Sequence, residues 1–199
     1  TATCGQRVML SIPLAGASLA LTLFASDGGS GTDTPTAVES ALNLDLQNPA
    51  NYAAQALPRY YDASVLAADN TPVTDPLDDK IATLGRVLFY DTRLSLNNAI
   101  SCAGCHQQAQ GFGDRSRFST GFSGAAFTDA HTMRLGNVRF FKTGRMFWNQ
   151  RAASIEEQAL QPIQHPVEMG FDAANGGLPA LFTKMGALPY YPELFTFAF

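Results

Sequence analysis

At 199 residues, with 46% hydrophobic composition and a formal net charge of −4, the chain is long enough for one good-sized domain and has no basic run that would mark a nucleic-acid footprint. Its three cysteines, two of them three residues apart, are too few for the disulfide framework of a small secreted domain. That close pair is therefore a candidate for chemistry rather than for stapling.

The first segment carries its own signal. After Arg7 comes the apolar run VMLSIPLAGASLALTLFA, followed abruptly by the polar stretch SDGGSGTDTPT. A positive start, an apolar middle and a small-residue exit around Ala25 and Ser26 predict a bacterial export signal over residues 1–26. A membrane anchor is the alternative, although the run is at the short end of what spans a bilayer. Ser26 stands where a lipoprotein would carry its lipidated cysteine, and Cys4, ahead of the apolar run, has no assigned role. The remainder is expected in the periplasm, with no membrane insertion after processing.

Residues 27–75 are rich in Ala, Asn, Asp, Thr and Pro and are expected to form a polar, partly flexible extension. A short helix is predicted in TPTAVESALNL, capped by Thr34 and opened by Pro35. From residue 76 the pattern sharpens. Leu77, Ile81, Leu84 and Leu88 recur at helical spacing, with Phe89 beside them and Pro76 where a first turn tolerates it. No alternating strand pattern follows. The fold class is all-α with long loops.

Next comes ISCAGCHQQAQGFGD, residues 100–114, which holds Cys102, Cys105 and His106. CxxC occurs in thioredoxin-like redox sites, in zinc sites and, when His follows directly, in c-type haem attachment. A thioredoxin-like site needs a βαβ context that is absent, and zinc needs a fourth ligand set that no second CxxC or HxxxH supplies. Haem c uses all three residues: both thiols form thioethers and the adjacent imidazole becomes the axial iron ligand. Export to an oxidising compartment agrees with that assignment. Further on, Ser154 and Glu157 have the S-x-x-E spacing of a capping box, predicting a helix from about Ile155 that Pro162 stops, with Gln158 in its first turns. Glu168 follows in QHPVEMG, where apolar neighbours would disfavour its charged form.

LGRVLFYDTRLSLNNAISCAGCH resembles the segment leading into the first haem of bacterial di-haem cytochrome c peroxidases and their MauG-like relatives, and GRMFWNQRAASIEEQALQPIQHPVEMG resembles the segment that builds the pocket above that haem. The resemblance covers residues 76–199 and implies a cytochrome c-like, peroxidatic haem domain. It implies haem attachment through Cys102 and Cys105, with His106 as the proximal ligand. It further implies that Trp148 lies between two haems and passes electrons, that Gln158 and Glu168 are the polar residues of the distal pocket, and that Arg151 is structural. On this basis Glu168 moves a proton between the oxygens of hydrogen peroxide while Gln158 positions it, and the O–O bond breaks to leave water and a ferryl iron. For Gln158 and Glu168 the alternatives are a surface glutamine and a solvated loop glutamate; for Trp148 the alternative is core packing.

The departures from the family pattern matter equally. In many of these peroxidases a histidine in a glycine-bracketed loop past CxxCH blocks the peroxide haem, whereas here, in FSTGFSGAAF, Phe122 takes that place by count. The expected pocket is open at rest, as in MauG-like enzymes. His131 is a candidate gating ligand or a neighbour of the calcium site such enzymes often have, and His165 a candidate pocket residue; an ordinary loop histidine is the alternative for each. Only one CxxCH is present, and the sequence stops at YPELFTFAF, in what reads as a helix opened by Pro192. A second haem domain beyond this segment is the expectation, and a mono-haem protein the alternative.

Three functions follow. The first is a peroxidase fed by a small cytochrome c or cupredoxin, and the second a MauG-like oxidase of tryptophan or another residue in a partner protein. The third is a non-enzymatic electron carrier. The resemblance makes a dimer plausible for the first and a monomer for the second.

Overall fold

The computed structural model describes residues 35–199. The expected export signal over 1–26, Cys4 and the Thr34 cap lie outside the described residues. Seven α-helices and four 3-10 turns make up the regular structure, and the β-structure among the described residues is limited to isolated bridges. No described helix is long and apolar enough to cross a membrane.

Local sequence chemistry decides where each helix begins. Helix α1 (Ala37–Leu42) starts at Thr36, whose hydroxyl accepts the Glu39 N–H while the Glu39 carboxylate accepts the Thr36 N–H. This reciprocal box places the cap two residues past Thr34 and leaves Pro35 outside the helix. A single turn, α2 (Ala63–Leu66), is capped by Asp62. Helix α3 (Asp79–Tyr90) begins after Asp78, whose carboxylate accepts from the Lys80 and Ile81 N–H groups. Pro76 and Leu77 therefore precede the first turn instead of forming it, because the carboxylate satisfies end amides that neither of them can. The cysteine motif forms the one-turn helix α4 (Cys102–Cys105), followed by α5 (Ile155–Ile163), α6 (Gly177–Gly186) and α7 (Tyr190–Ala198). Pro189, not Pro192, opens α7; Pro192 falls in the first turn, where its missing N–H has no intrahelical acceptor to lose.

Helices α1, α3 and α6 all pack on α7, burying Val38, Leu84, Leu181 and Leu194 together. Leu194 is fully buried, a burial worth roughly 1.5–3 kcal/mol. Val38 is buried just as completely, and its N–H donates to Glu193 on α7. The packed body thus reaches back to residue 35 rather than starting at 76. Part of the expected extension is core, because α1 supplies the apolar cover for one face of α7.

The end of α3 leads into a buried polar node. One oxygen of the Asp91 carboxylate accepts from the hydroxyls of Tyr190 and Tyr191, both at 2.8 Å, and the other from the Arg93 N–H. Arg93 also donates to the Tyr190 hydroxyl. Burial works to raise the Asp91 pKa, but the Arg93 N–H, the two tyrosines and the Arg93 charge outweigh it and hold the carboxyl below its ordinary range. The same environment pushes the Tyr190 hydroxyl up to about 12. From this node the chain turns through Thr92–Leu94 to Ser95 and Leu96, whose carbonyls accept from Lys184 on α6.

Three loops are then stitched together by backbone. The Leu96 N–H donates to the Met169 carbonyl at 2.8 Å, and the Phe122 N–H is shared between the carbonyls of Val167 and Glu168 at 3.2 and 3.0 Å. The Asn97 amide donates to the Phe122 carbonyl. Two glycines permit the close approach: a Cβ on buried Gly121 would run into the Val167 carbonyl, and Gly170, at φ +87°, lies under the Phe122 ring.

Two outcomes are expected. Asp91→Ala leaves two buried hydroxyls without their acceptor and should destabilise the protein by about 2–4 kcal/mol in urea unfolding at neutral pH. Because the folded pKa of Asp91 is depressed, its contribution is present above the ordinary value of about 3.9 and is lost as pH falls through the folded value, so this penalty should shrink in acid. Gly121→Ala should cost at least about 1–3 kcal/mol, since a backbone carbonyl cannot rotate away from the new methyl group.

Candidate functional site

The cysteine motif is folded so as to aim one imidazole nitrogen. The Ile100 N–H is held by Ser95 Oγ, after which a single helical turn closes with the His106 N–H on the Cys102 carbonyl at 2.8 Å. The chain then doubles back. Gln107 and Gly113 form a bridge, and Phe112, in the left-handed region at φ +59°, donates its N–H to the Gln107 carbonyl. This return places the Phe112 carbonyl 3.1 Å from His106 Nδ1. Nδ1 is then the donor, and Nε2 keeps the lone pair that a metal requires. The Phe112 ring meets Phe89 of α3 edge to face, tying the anchor to the core helix.

Both thiols are unlinked and half-buried. Burial pushes the Cys102 thiol up to about 11 and also raises Cys105, against a hydrogen bond to Ser119. A dithiol redox site depends on a depressed pKa, so this environment does not suit thioredoxin-like chemistry. Among the described residues, no cluster of three or more His, Cys, Asp or Glu is arranged to hold a metal ion, as a zinc site would need. The set does fit covalent haem: two protonated thiols on one helical turn and an adjacent imidazole fixed in the ligating tautomer. Beneath Cys105 lies a polar hub. Buried Ser119 donates to Asp114 at 2.6 Å and shares a hydrogen bond with Thr132, while Asp114 also accepts from the Ser116 N–H and the Gln107 amide. Phe112, Asp114 and Ser119 were not singled out in the sequence, although GFGD lies within the quoted motif; only the doubling back of the chain gives these residues their roles.

Glu168 sits in the loop after α5. Ser154 caps α5 by accepting the Glu157 N–H, but the Glu157 carboxylate takes the Ala153 N–H, so the predicted capping box closes one residue earlier than its usual partner. Pro162 is inside the helix, which ends one residue later at Ile163. Gln158 is half-buried in the first turns of α5 and makes no side-chain hydrogen bond among the described residues. Burial raises the pKa of the Glu168 carboxyl, and His165, Arg151 and His106 lie close enough to oppose that shift without cancelling it. The structure therefore brings Glu168, His165, Arg151 and His106 into one electrostatic neighbourhood. Arg151 stacks on the Phe147 ring at 3.4 Å and donates to Gln161 at 3.0 Å, which ties the segment ahead of α5 to the helix's last turn. Phe122 is docked on the Glu168 loop through its own backbone N–H.

Trp148 is 64% exposed, so core packing does not explain it. Its indole N–H donates to the His131 carbonyl at 2.8 Å, and the exposed His131 ring places Nδ1 3.0 Å from the Ser116 carbonyl. These two residues form a surface pair on the loops beside the polar hub.

Residues 79–199, more than half of the chain, match the family described as Di-haem cytochrome c peroxidase. The chain is 35% identical over 129 residues to Methylamine utilization protein MauG of Methylorubrum extorquens, covering 64% of this chain and 34% of that protein. It is 33% identical over 125 residues to Cytochrome c551 peroxidase of Pseudomonas aeruginosa, covering 62% and 34%. A crystal structure of a MauG-like protein associated with microbial copper homeostasis superposes with a TM-score of 0.59 at 31% identity, covering 75% of this chain and 40% of that one. The chain thus spans about a third of the length of the curated relatives it matches. With residues 79–199 matching its model, the chain belongs to the di-haem cytochrome c peroxidase family.

Proposed function

We propose that this chain is the peroxide-reacting domain of an exported c-type haem oxidoreductase that reduces hydrogen peroxide to water with electrons from a small cytochrome c or cupredoxin in the periplasm. A second haem, in a domain outside this segment, completes the electron supply. The observation that carries the proposal is the Glu168 carboxyl: raised by burial, it is held on a loop pinned by backbone hydrogen bonds to Leu96, in the segment that leads into the cysteine motif, and to Phe122.

Haem, held by Cys102, Cys105 and His106, would supply the iron that binds peroxide and takes up its oxidising equivalents. The rest falls to the protein. Phe112 fixes the His106 tautomer and so the basicity of the ligand. Glu168 takes a proton from one peroxide oxygen and returns it to the other, which then leaves as water; a carboxyl with a raised pKa is suited to both halves of that transfer. Gln158, on a helix rigidly capped by Ser154, orients the peroxide. Trp148, with its indole fixed and exposed, is the route for electrons entering from outside the domain.

One observation favours a second reading. Phe122 stands where a blocking histidine would come from, and its docking on the Val167 and Glu168 carbonyls brings no imidazole to the pocket. A pocket open at rest suits a MauG-like enzyme that uses the same chemistry to oxidise a tryptophan of a partner protein. A simple electron carrier fits less well, since it gives no role to a half-buried carboxyl beside the iron ligand.

Glu168→Gln should keep the haem absorbance spectrum and lower the peroxide reaction rate by roughly 10²–10⁴-fold in stopped-flow measurements; an unchanged rate would overturn the assignment. In the unsubstituted protein the acid limb of that rate should lie above the ordinary glutamate value of about 4.3, because the raised carboxyl must lose its proton before it can accept another. Replacing both Cys102 and Cys105 by alanine should release the haem into acidified ketone, whereas the parent protein keeps it covalently on the chain. Haem extracted from the parent would end the c-type assignment.

A further inference from the structure

The Glu168 loop is built around one acceptor atom. His165 is followed by Pro166, which has no N–H, so the next two amides, of Val167 and Glu168, are the donors that the turn must satisfy. Both point at one atom, His165 Nδ1, each at 3.3 Å. The loop closes on the same residue through the Gly170 N–H, which donates to the His165 carbonyl at 3.0 Å. This is the geometry that Asn or Asp gives a turn when its side-chain oxygen accepts the amides two and three residues on. An imidazole ring nitrogen does the work here.

The same Nδ1 lies 3.8 Å from Glu168 Oε1. The two relationships are mutually exclusive. Accepting from two amides needs the lone pair on Nδ1 and places the ring proton on Nε2, whereas an ion pair with Glu168 needs a proton on Nδ1. The charged and titratable groups facing the Glu168 carboxyl from its other neighbours are Arg151 ahead of α5, His106 at the end of α4 and Asp129 in the loop that carries Phe122. None of them donates to or accepts from the loop amides.

We infer that His165 is the positioning residue for Glu168, a turn cap whose Nδ1 lone pair takes the Val167 and Glu168 amides and so holds the Glu168 loop in its working shape. The inference rests on the reading of Glu168 as the group that moves the peroxide proton. Asparagine in place of His165 offers a side-chain acceptor for the same amides; alanine offers none.

The test compares haem-loaded parent, His165→Asn and His165→Ala proteins by amide hydrogen exchange of the 164–171 segment at one pH, alongside the peroxide rate. The Val167 and Glu168 amides should be protected in the parent and in His165→Asn, and unprotected in His165→Ala. His165→Ala should react with peroxide at least about tenfold more slowly, and His165→Asn should restore a rate close to that of the parent. Equal protection in the parent and in His165→Ala would overturn the inference. If protection follows the expected pattern while Glu168→Gln reacts at the parent rate, the loop cap stands and the catalytic role of Glu168 falls.

Discussion

The buried carboxylate of Asp91 is the constraint from which the rest of this structure is set out. It is anchored by two tyrosine hydroxyls of α7, and it sits where α3 ends and the run into the cysteine motif begins. A buried charge is tolerated where donors are aimed at it, and here the backbone of Arg93 and the two phenols supply three. The consequence is positional. Ser95 and Leu96 are fixed relative to α6 and α7, Ser95 then holds the Ile100 N–H, and α4 starts from a defined point.

The distal loop is referred to the same frame. Leu96 donates to Met169, and Asn97 and Phe122 clamp the chain on either side of Glu168. The cysteine-motif turn and the Glu168 loop are therefore not two independently placed pieces. They hang from adjacent residues of one short segment, 95–100, and that arrangement keeps them in register without a sheet or a long helix to mount them on. The glycines at 121 and 170 are the cost of such close backbone approach, since a side chain at either position would push the loops apart.

Within this frame the chemistry is divided between neutral and charged groups by burial. The thiols are raised toward their protonated forms and Glu168 is raised toward neutrality, whereas Asp91 and Asp114 are held charged by their donors. Asp114 and Ser119 hold the underside of the cysteine turn, and Trp148 and His131 lie on loops that lead away from it.

Much of this was legible in the sequence. Cys102, Cys105 and His106 lie together in the chain, so their clustering on one turn could be read from spacing alone, and the amphipathic period over Ile81, Leu84 and Leu88 was enough for α3 and for an all-α class. Glu168 and Gln158 could be picked out because a family resemblance orders them, and the raised pKa of Glu168 followed from its apolar neighbours. What the sequence could not supply were relationships between residues far apart in the chain. It placed the starts of α1, α3 and α7 a few residues off, because several nearby side chains can cap and only the packed geometry selects one. It left Val38 in an extension, when its burial depends on a helix about 150 residues later in the chain. The anchoring of His106 by Phe112, the exposure of Trp148 and the double use of His165 Nδ1 were decided by tertiary structure, because each depends on where a loop returns, and loop return is set by contacts that no local pattern encodes.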